Sequence, residues 1–328
     1  MNDIIKLIPP QVVAYLAAFV LSVVSAKFVI PLLIRLNCGQ TVREDGPQMH
    51  KAKTGTPTMG GFLFIIPLVV VGGWFAFKEP RILPLILVTL GFSLIGFLDD
   101  YLKVVKKQNK GLNERQKMAG LLLISGAFTW YAVSYLPAAN TLVIPLIGIK
   151  APVALPLIIS VPFALFVLLS FTNAVNLTDG LDGLAGCVTT IVLLFMTAVT
   201  MFNSEWSYIR TFCAILAGGI LGFLIFNLHP AKVFMGDMGA LALGGALSAM
   251  ALATGTALFL AIAGIIYVME ALSVVIQVLY YKRTRKRFFL MAPIHHHYEH
   301  KGWKETKVVT VFTLVTLVGC VAAYLVIR

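Results

Sequence analysis

The feature that most constrains this chain is a succession of apolar stretches, each about as long as a helix that crosses a bilayer, with charge confined between them. They fall near residues 11–36, 58–77, 82–102, 118–137, 153–172, 184–202, 209–228, 238–254, 257–281 and 307–327. In lipid a backbone must satisfy its own hydrogen bonds, so runs of about 20 apolar residues become α-helices. The reading is therefore an all-α polytopic integral membrane protein with about ten transmembrane helices. Between 238 and 281 Glu270 is the only acidic or basic residue after the start; that stretch is too long for one crossing, and Thr254-Gly255-Thr256 is read as its break. Only 12% of the residues are charged, too few to cover a soluble domain of 328 residues. The first stretch is too long for a signal-peptide core and lacks a small-residue cleavage site, so it is read as the first helix.

A net charge of +12 would suit nucleic acid, but the basic residues lie between the apolar spans, which points to orientation against an anionic leaflet instead. Of 26 basic residues, 19 fall in alternate loops: Arg35 to Lys53, Lys103 to Lys117, Lys232, and Lys282 to Lys307. Positive loops stay inside, so this set is cytoplasmic and both termini are extracytoplasmic. Lys27 lies within the first span. The outer segment 138–152 reads as a short hairpin or surface loop, and no soluble domain is apparent, so residues 1–328 form one transmembrane domain. Cys38, Cys187, Cys213 and Cys320 have no paired spacing and are read as apolar filler.

Acidic residues number only 14, which makes their placement informative. Asp99 and Asp100 close the third span, Asp179 and Asp182 follow the fifth, and Asp237 follows the seventh, all on the cytoplasmic side. Charge at membrane depth is costly and marks candidate function. Asn173, Asn176, Asp179 and Asp182 recur every third residue and read as one polar stripe on a helix end, with Gly180, Gly183 and Gly186 permitting close approach. Capping of the next helix accounts for one or two of the four. Asp99 and Asp100 differ by about 100° around a helix, so one is expected to face metal or substrate while the other pairs with lysine, Lys103 standing at i+4 from Asp99. Asp237, in Phe234-Met235-Gly236-Asp237, is a helix N-cap or a Mg²⁺ ligand. His295-His296-His297 lacks the cysteines or spaced carboxylate of a zinc site and suits a phosphate-bearing substrate better. The loop 46–61 offers lysines, hydroxyls and glycines but does not match a P-loop.

Taken together these segments resemble the bacterial phospho-N-acetylmuramoyl-pentapeptide transferases, nearly end to end. The resemblance runs from Asp45-Gly46-Pro47, His50, Lys53 and Gly55-Thr56-Pro57-Thr58-Met59-Gly60-Gly61 through Asp99-Asp100-Tyr101, Asn173 to Gly186 and Phe234 to Asp237. It ends with Pro293 to Glu299, Lys301-Gly302-Trp303 and Glu305. The aspartate pair and the stripe are shared with the wider superfamily of polyprenyl-phosphate sugar-1-phosphate transferases; the triple-histidine segment and the loop before the second span look like the muramoyl branch. The resemblance implies Mg²⁺ as cofactor and UDP-N-acetylmuramoyl-pentapeptide and undecaprenyl phosphate as substrates, with lipid I and UMP as products. It implies a multi-pass enzyme of the bacterial cytoplasmic membrane, acting on its inner side, bound to no nucleic acid and commonly a homodimer. By matching positions, Asp99, Asp100, Asp237 and His296 are catalytic, with Asp237 the metal ligand. Asn173, Asn176, Asp179, Gly180, Leu181, Asp182 and Phe234 bind the nucleotide, and Lys53, Thr58, Lys103, His295 and His297 contact phosphate or substrate. The rivals are a related UDP-N-acetylglucosamine:polyprenyl-phosphate transferase and an ion-coupled transporter built around Glu270.

Overall fold

The computed structural model describes residues 9–36, 38, 55–105 and 111–327. Twelve α-helices occur among them: α1 (Pro10–Arg35), α2 (Phe62–Lys78), α3 (Leu83–Val105), α4 (Glu114–Tyr135), α5 (Leu157–Thr178), α6 (Leu184–Val199), α7 (Ser207–Asn227), α8 (Gly236–Thr254), α9 (Ala257–Ala263), α10 (Ile265–Thr284), α11 (Ile294–His300) and α12 (Glu305–Val326). Nine helical segments are long and apolar enough to cross a membrane, and α2, with 17 residues, is a shorter apolar helix. The chain is thus a polytopic all-α membrane protein. The stretch expected as one span over 257–281 is two helices instead, broken at Gly264.

The helix ends sort onto two faces. On one, Gln11 reaches Thr211 (3.5 Å), Arg81 pairs with Glu205 (2.9 Å), and the Val143 amide donates to the Gly255 carbonyl (2.9 Å). The hairpin foreseen in the outer loop is there: β1 (Thr141–Leu142) pairs antiparallel with β2 (Val153–Ala154). Its connection binds the chain's far end, with Ile149 donating to the Ile327 carbonyl at 2.9 Å. Pro10 and Ile327 therefore lie on the same face, and the aspartates gather on the other.

At the centre stands α8, whose residues from Met238 to Thr254 are all buried. Glycine and alanine dominate it, as suits helices that approach closely where lipid supplies no hydrophobic drive to associate. It packs against α3 and α5, and α1 packs against α7. A close crossing is at Gly96 of α3, where a Cβ would stand 2.2 Å from the Asp237 carbonyl oxygen. The four cysteines are all free thiols, three of them buried.

Candidate active site

Three helix ends build the site. The last turns of α3 carry Asp99, Asp100 and Lys103, α8 opens with Asp237 in its first turn, and α4 brings Lys117 in from the side. The start of α4 is fixed by a capping box: the Gln116 amide donates to Asn113 Oδ1 (2.8 Å), and the Asn113 amide donates to Gln116 Oε1 (3.2 Å). That cap sets the helix phase that turns Lys117 inward.

Lys103 Nζ lies 2.6 Å from Asp99 Oδ2, 3.0 Å from Asp237 Oδ2 and 3.7 Å from Asp100 Oδ1. Lys117 Nζ adds a second ammonium 2.8 Å from Asp237 Oδ2, and Asn176 Nδ2 donates to Asp237 Oδ1 at 2.9 Å. One oxygen from each aspartate falls within 4.8 Å of the others. The division of labour expected from a 100° separation is corrected here. Asp99 reaches the lysine from i+4 and Asp100 from i+3, so the side chains swing onto one point. Their other oxygens differ. Asp99 Oδ1 accepts the Leu112 amide (2.8 Å), whereas Asp100 Oδ2 accepts the Met238 amide (3.1 Å) and so clasps the N-terminus of α8, where a carboxylate is favoured.

The polar stripe is also corrected. Helix α5 ends at Thr178, so only Asn173 and Asn176 lie on it. Asn173 turns its amide back to the Leu169 carbonyl (2.8 Å), while Asn176 reaches Asp237. Beyond the helix, Asp179 is half-buried and accepts the Gly236 amide; burial, then the negative charges of Asp237 and Asp100, push its carboxyl well above the usual carboxylate range. Asp182 is buried and points elsewhere, accepting His229 Nδ1 (3.0 Å) and the Ala231 amide (3.1 Å), while its own amide donates to Glu305 Oε1 (2.6 Å). Leu181 between them is buried. The loop before α2 meets the start of α8 through backbone bonds: the Gly60 amide donates to the Phe234 carbonyl (2.7 Å) and the Phe234 amide to the Pro57 carbonyl (2.8 Å). This sets the half-buried Phe234 and the buried Thr58 beside the aspartates. Lys53 lies outside the described residues.

The three histidines occupy α11 and face three ways. His295, expected to touch substrate, is only 1% exposed, and its Nδ1 is 3.1 Å from Glu270 Oε1. Its Nε2 abuts Gly180, where a Cβ would stand 2.2 Å away. His295 therefore joins α10 to the 179–182 segment from beneath. His296 is half-buried beside it, ring centroids 4.1 Å apart, and pairs with Glu299 (2.7 Å). His297 Nδ1 accepts the Leu290 amide (3.1 Å); partial burial, with Lys301 and His300 nearby, lowers the tendency of its ring to protonate.

Sequence reasoning had no role in the transferase site for Lys117, Glu270 or His229. Lys117 counted only as one of a basic run, and its signal was the Asn113-to-Gln116 capping box, which fixes the direction of the helix. Glu270, the one mid-span acid, is fully buried and takes His295 as partner. We expect Glu270→Ala to lower the melting temperature of the detergent-solubilised protein, because His295 Nδ1 is then buried without an acceptor, at a cost of about 1–3 kcal/mol. Glu270→Gln keeps an acceptor and should recover most of that loss; equal melting of both variants and the parent would refute the pairing.

Residues 82–255 match the family model described as Glycosyl transferase family 4. A phospho-N-acetylmuramoyl-pentapeptide-transferase of Acetivibrio thermocellus is 53% identical over 321 residues, covering 98% of this chain and 96% of that one. A like-named protein of Clostridium perfringens strain 13 is 44% identical over 318 residues (96% and 98% covered), and one of Carboxydothermus hydrogenoformans is 46% identical over 311 (94% and 95%). With identity at this level along the whole length, and with the acids, lysines and histidines gathered at one end of the bundle, this chain belongs to the phospho-N-acetylmuramoyl-pentapeptide transferases.

Proposed function

We propose that the protein transfers phospho-N-acetylmuramoyl-pentapeptide from UDP-N-acetylmuramoyl-pentapeptide to undecaprenyl phosphate, giving lipid I and UMP. The observation that carries this reading is the convergence of Asp99, Asp100 and Asp237 on Lys103 and Lys117 at one end of an apolar bundle. A lipid-borne phosphate and a water-soluble nucleotide sugar can meet only at such a boundary. An oxygen of the lipid phosphate forms a bond to the sugar-bearing phosphorus, the diphosphate P–O bond breaks, and UMP leaves with its electrons. Such a transfer asks for in-line positioning and charge neutralisation more than for covalent chemistry.

Lys103 and Lys117 supply two ammonium groups toward the diphosphate. Asp99, Asp100 and Asp237 would hold Mg²⁺. Their oxygens are the hard donors that ion prefers, and one cation, the Lys103 ammonium, already stands against all three. Three carboxyl groups also outnumber the two ammoniums beside them. When bound there, Mg²⁺ supplies charge neutralisation across the diphosphate oxygens. Asn176, Asp179 and Gly180 form the uridine side, with Asn173 and the buried Leu181 and Asp182 behind them and the Phe234 ring as the stacking surface for uracil. Thr58 lies toward the phosphates, and His296 and His297 toward the sugar and peptide, with His295 holding the floor.

The loops of this face carry the excess of lysine and arginine, so it is the cytoplasmic side of a bacterial inner membrane, with both termini outside. Residues 1–328 act as one transferase domain, and the family resemblance extends to a homodimer, which the mass of the detergent-solubilised protein would test.

The direct test supplies purified protein with undecaprenyl phosphate, Mg²⁺ and either UDP-N-acetylmuramoyl-pentapeptide or UDP-N-acetylglucosamine. Release of UMP from the first alone is expected. Release from the second alone moves the protein to the related branch, and release from neither by a folded preparation removes the enzyme assignment.

Asp179 gives a pH signature. Its native carboxyl titrates above its unfolded counterpart, so the folded state holds the proton longer, and Asp179 costs stability as pH rises from about 4 through its raised native value. Asp179→Asn keeps an acceptor for the Gly236 amide without a charge to bury. The variant should melt above the parent at pH 8, with the gap narrowing toward pH 5. A gap that is absent or widens toward acid contradicts the assignment.

A further inference from the structure

We infer that the end of α10 and the turn after it form a docking site for anionic phospholipid headgroups. Lys282, Arg283, Arg285, Lys286 and Arg287 place five cations within six residues, all exposed. None has a carboxylate within ion-pair distance among the described residues, whose ion pairs all involve other groups. The helix that leads to them is built for lipid, since Leu272, Val275 and Leu279 leave 52%, 50% and 63% of their surface uncovered. Helix α10, Ile265–Thr284, has the about 20 residues that cross a bilayer, so its basic last turn falls at the boundary.

The turn is ordered. Arg285 adopts the left-handed conformation (φ 58°) that ends α10 and bends the chain back. Gln277, about two turns earlier, accepts the Phe288 and Phe289 amides at 3.1 and 2.9 Å. The Phe288 ring then packs edge-on against Tyr280, centroids 5.4 Å apart. Aromatic side chains at headgroup level, a lipid-facing apolar stem and a rigid basic collar are the parts of an anionic-membrane anchor. Five cations also exceed the charge that a single phosphomonoester can neutralise, so the occupant is the bulk anionic lipid and not one molecule of acceptor.

The test uses the full chain in detergent, with phosphatidylglycerol or phosphatidylcholine added and retained lipid read by native mass spectrometry. The parent should retain phosphatidylglycerol in preference, by about tenfold, given the attraction of each basic residue to an anionic surface. The variant Arg283→Gln, Arg285→Gln, Lys286→Gln, Arg287→Gln should lose that preference while keeping its melting temperature. Raising salt should weaken retention by the parent, and inorganic phosphate at matched ionic strength should not compete better than chloride. Equal retention of the two lipids by the parent, or unchanged preference in the variant, overturns the proposal. So does competition by free phosphate, or a raised KM for undecaprenyl phosphate in the variant, either of which makes the collar a phosphate or acceptor site. If the variant misfolds, the salt series on the parent decides.

Discussion

Asp237→Ala abolishes UMP release, lowering kcat by roughly 10³-fold or more, the order seen when a group that manages transition-state charge is removed. Asp237 is the most heavily used of the three aspartates. It accepts from Lys103 and Lys117 on one oxygen and from Asn176 on the other, so three elements meet on one carboxylate. Without it, Lys117 loses its carboxylate partner, Lys103 keeps Asp99 and Asp100, and the Asn176 amide loses its acceptor. Asp237→Asn separates shape from charge, since it preserves the side-chain outline and an oxygen acceptor. We expect it to melt close to the parent and still to turn over as poorly as the alanine variant. UMP release near the parent's rate in either variant would remove Asp237 from the chemistry; a variant that no longer melts cooperatively would instead indicate that the residue serves the fold.

Gly96→Ala is the second large effect, and it touches no titrating group. A Cβ at Gly96 would lie 2.2 Å from the Asp237 carbonyl oxygen, 2.4 Å from its carbonyl carbon and 2.5 Å from the Met238 nitrogen. All three are backbone atoms that cannot rotate away, so α3 and α8 must part by about an ångström or more. Asp99 and Asp100 ride on one helix and Asp237 on the other, and a displacement of that size costs on the order of 10²-fold in rate. The loss should fall on kcat as well as on the melting temperature. Gly73→Ala, where a Cβ meets nothing within 4 Å, is the control and should leave both unchanged. Parental kinetics for Gly96→Ala would mean that the crossing is looser than described.

Much of the architecture was legible because lipid removes alternatives. Charge-free runs leave the backbone only helices to form, and the sidedness of Lys and Arg sorts the loops, so the gathering of Asp99, Asp179 and Asp237 on one face followed from counting. Lys103 at i+4 from Asp99 was legible from helix geometry alone. The rest depends on contacts between distant segments. Gly264 breaks a uniformly apolar run with no charge to announce it. The stripe ends at Thr178 because Asp182 is drawn to His229 and Glu305, which lie 47 and 123 residues away. Glu270 looked solitary along the chain because its partner is 25 residues on, across a turn. Periodicity reports which way a residue faces on its own helix; it carries nothing about what waits on the next.

The ammonium of Lys103 among three carboxylates has a consequence for how the protein is made. A nest of bare acids entering a bilayer would resist insertion until an ion arrived to quiet it. Here the chain carries its own counterion, so the bundle can close around its acids as the helices pack.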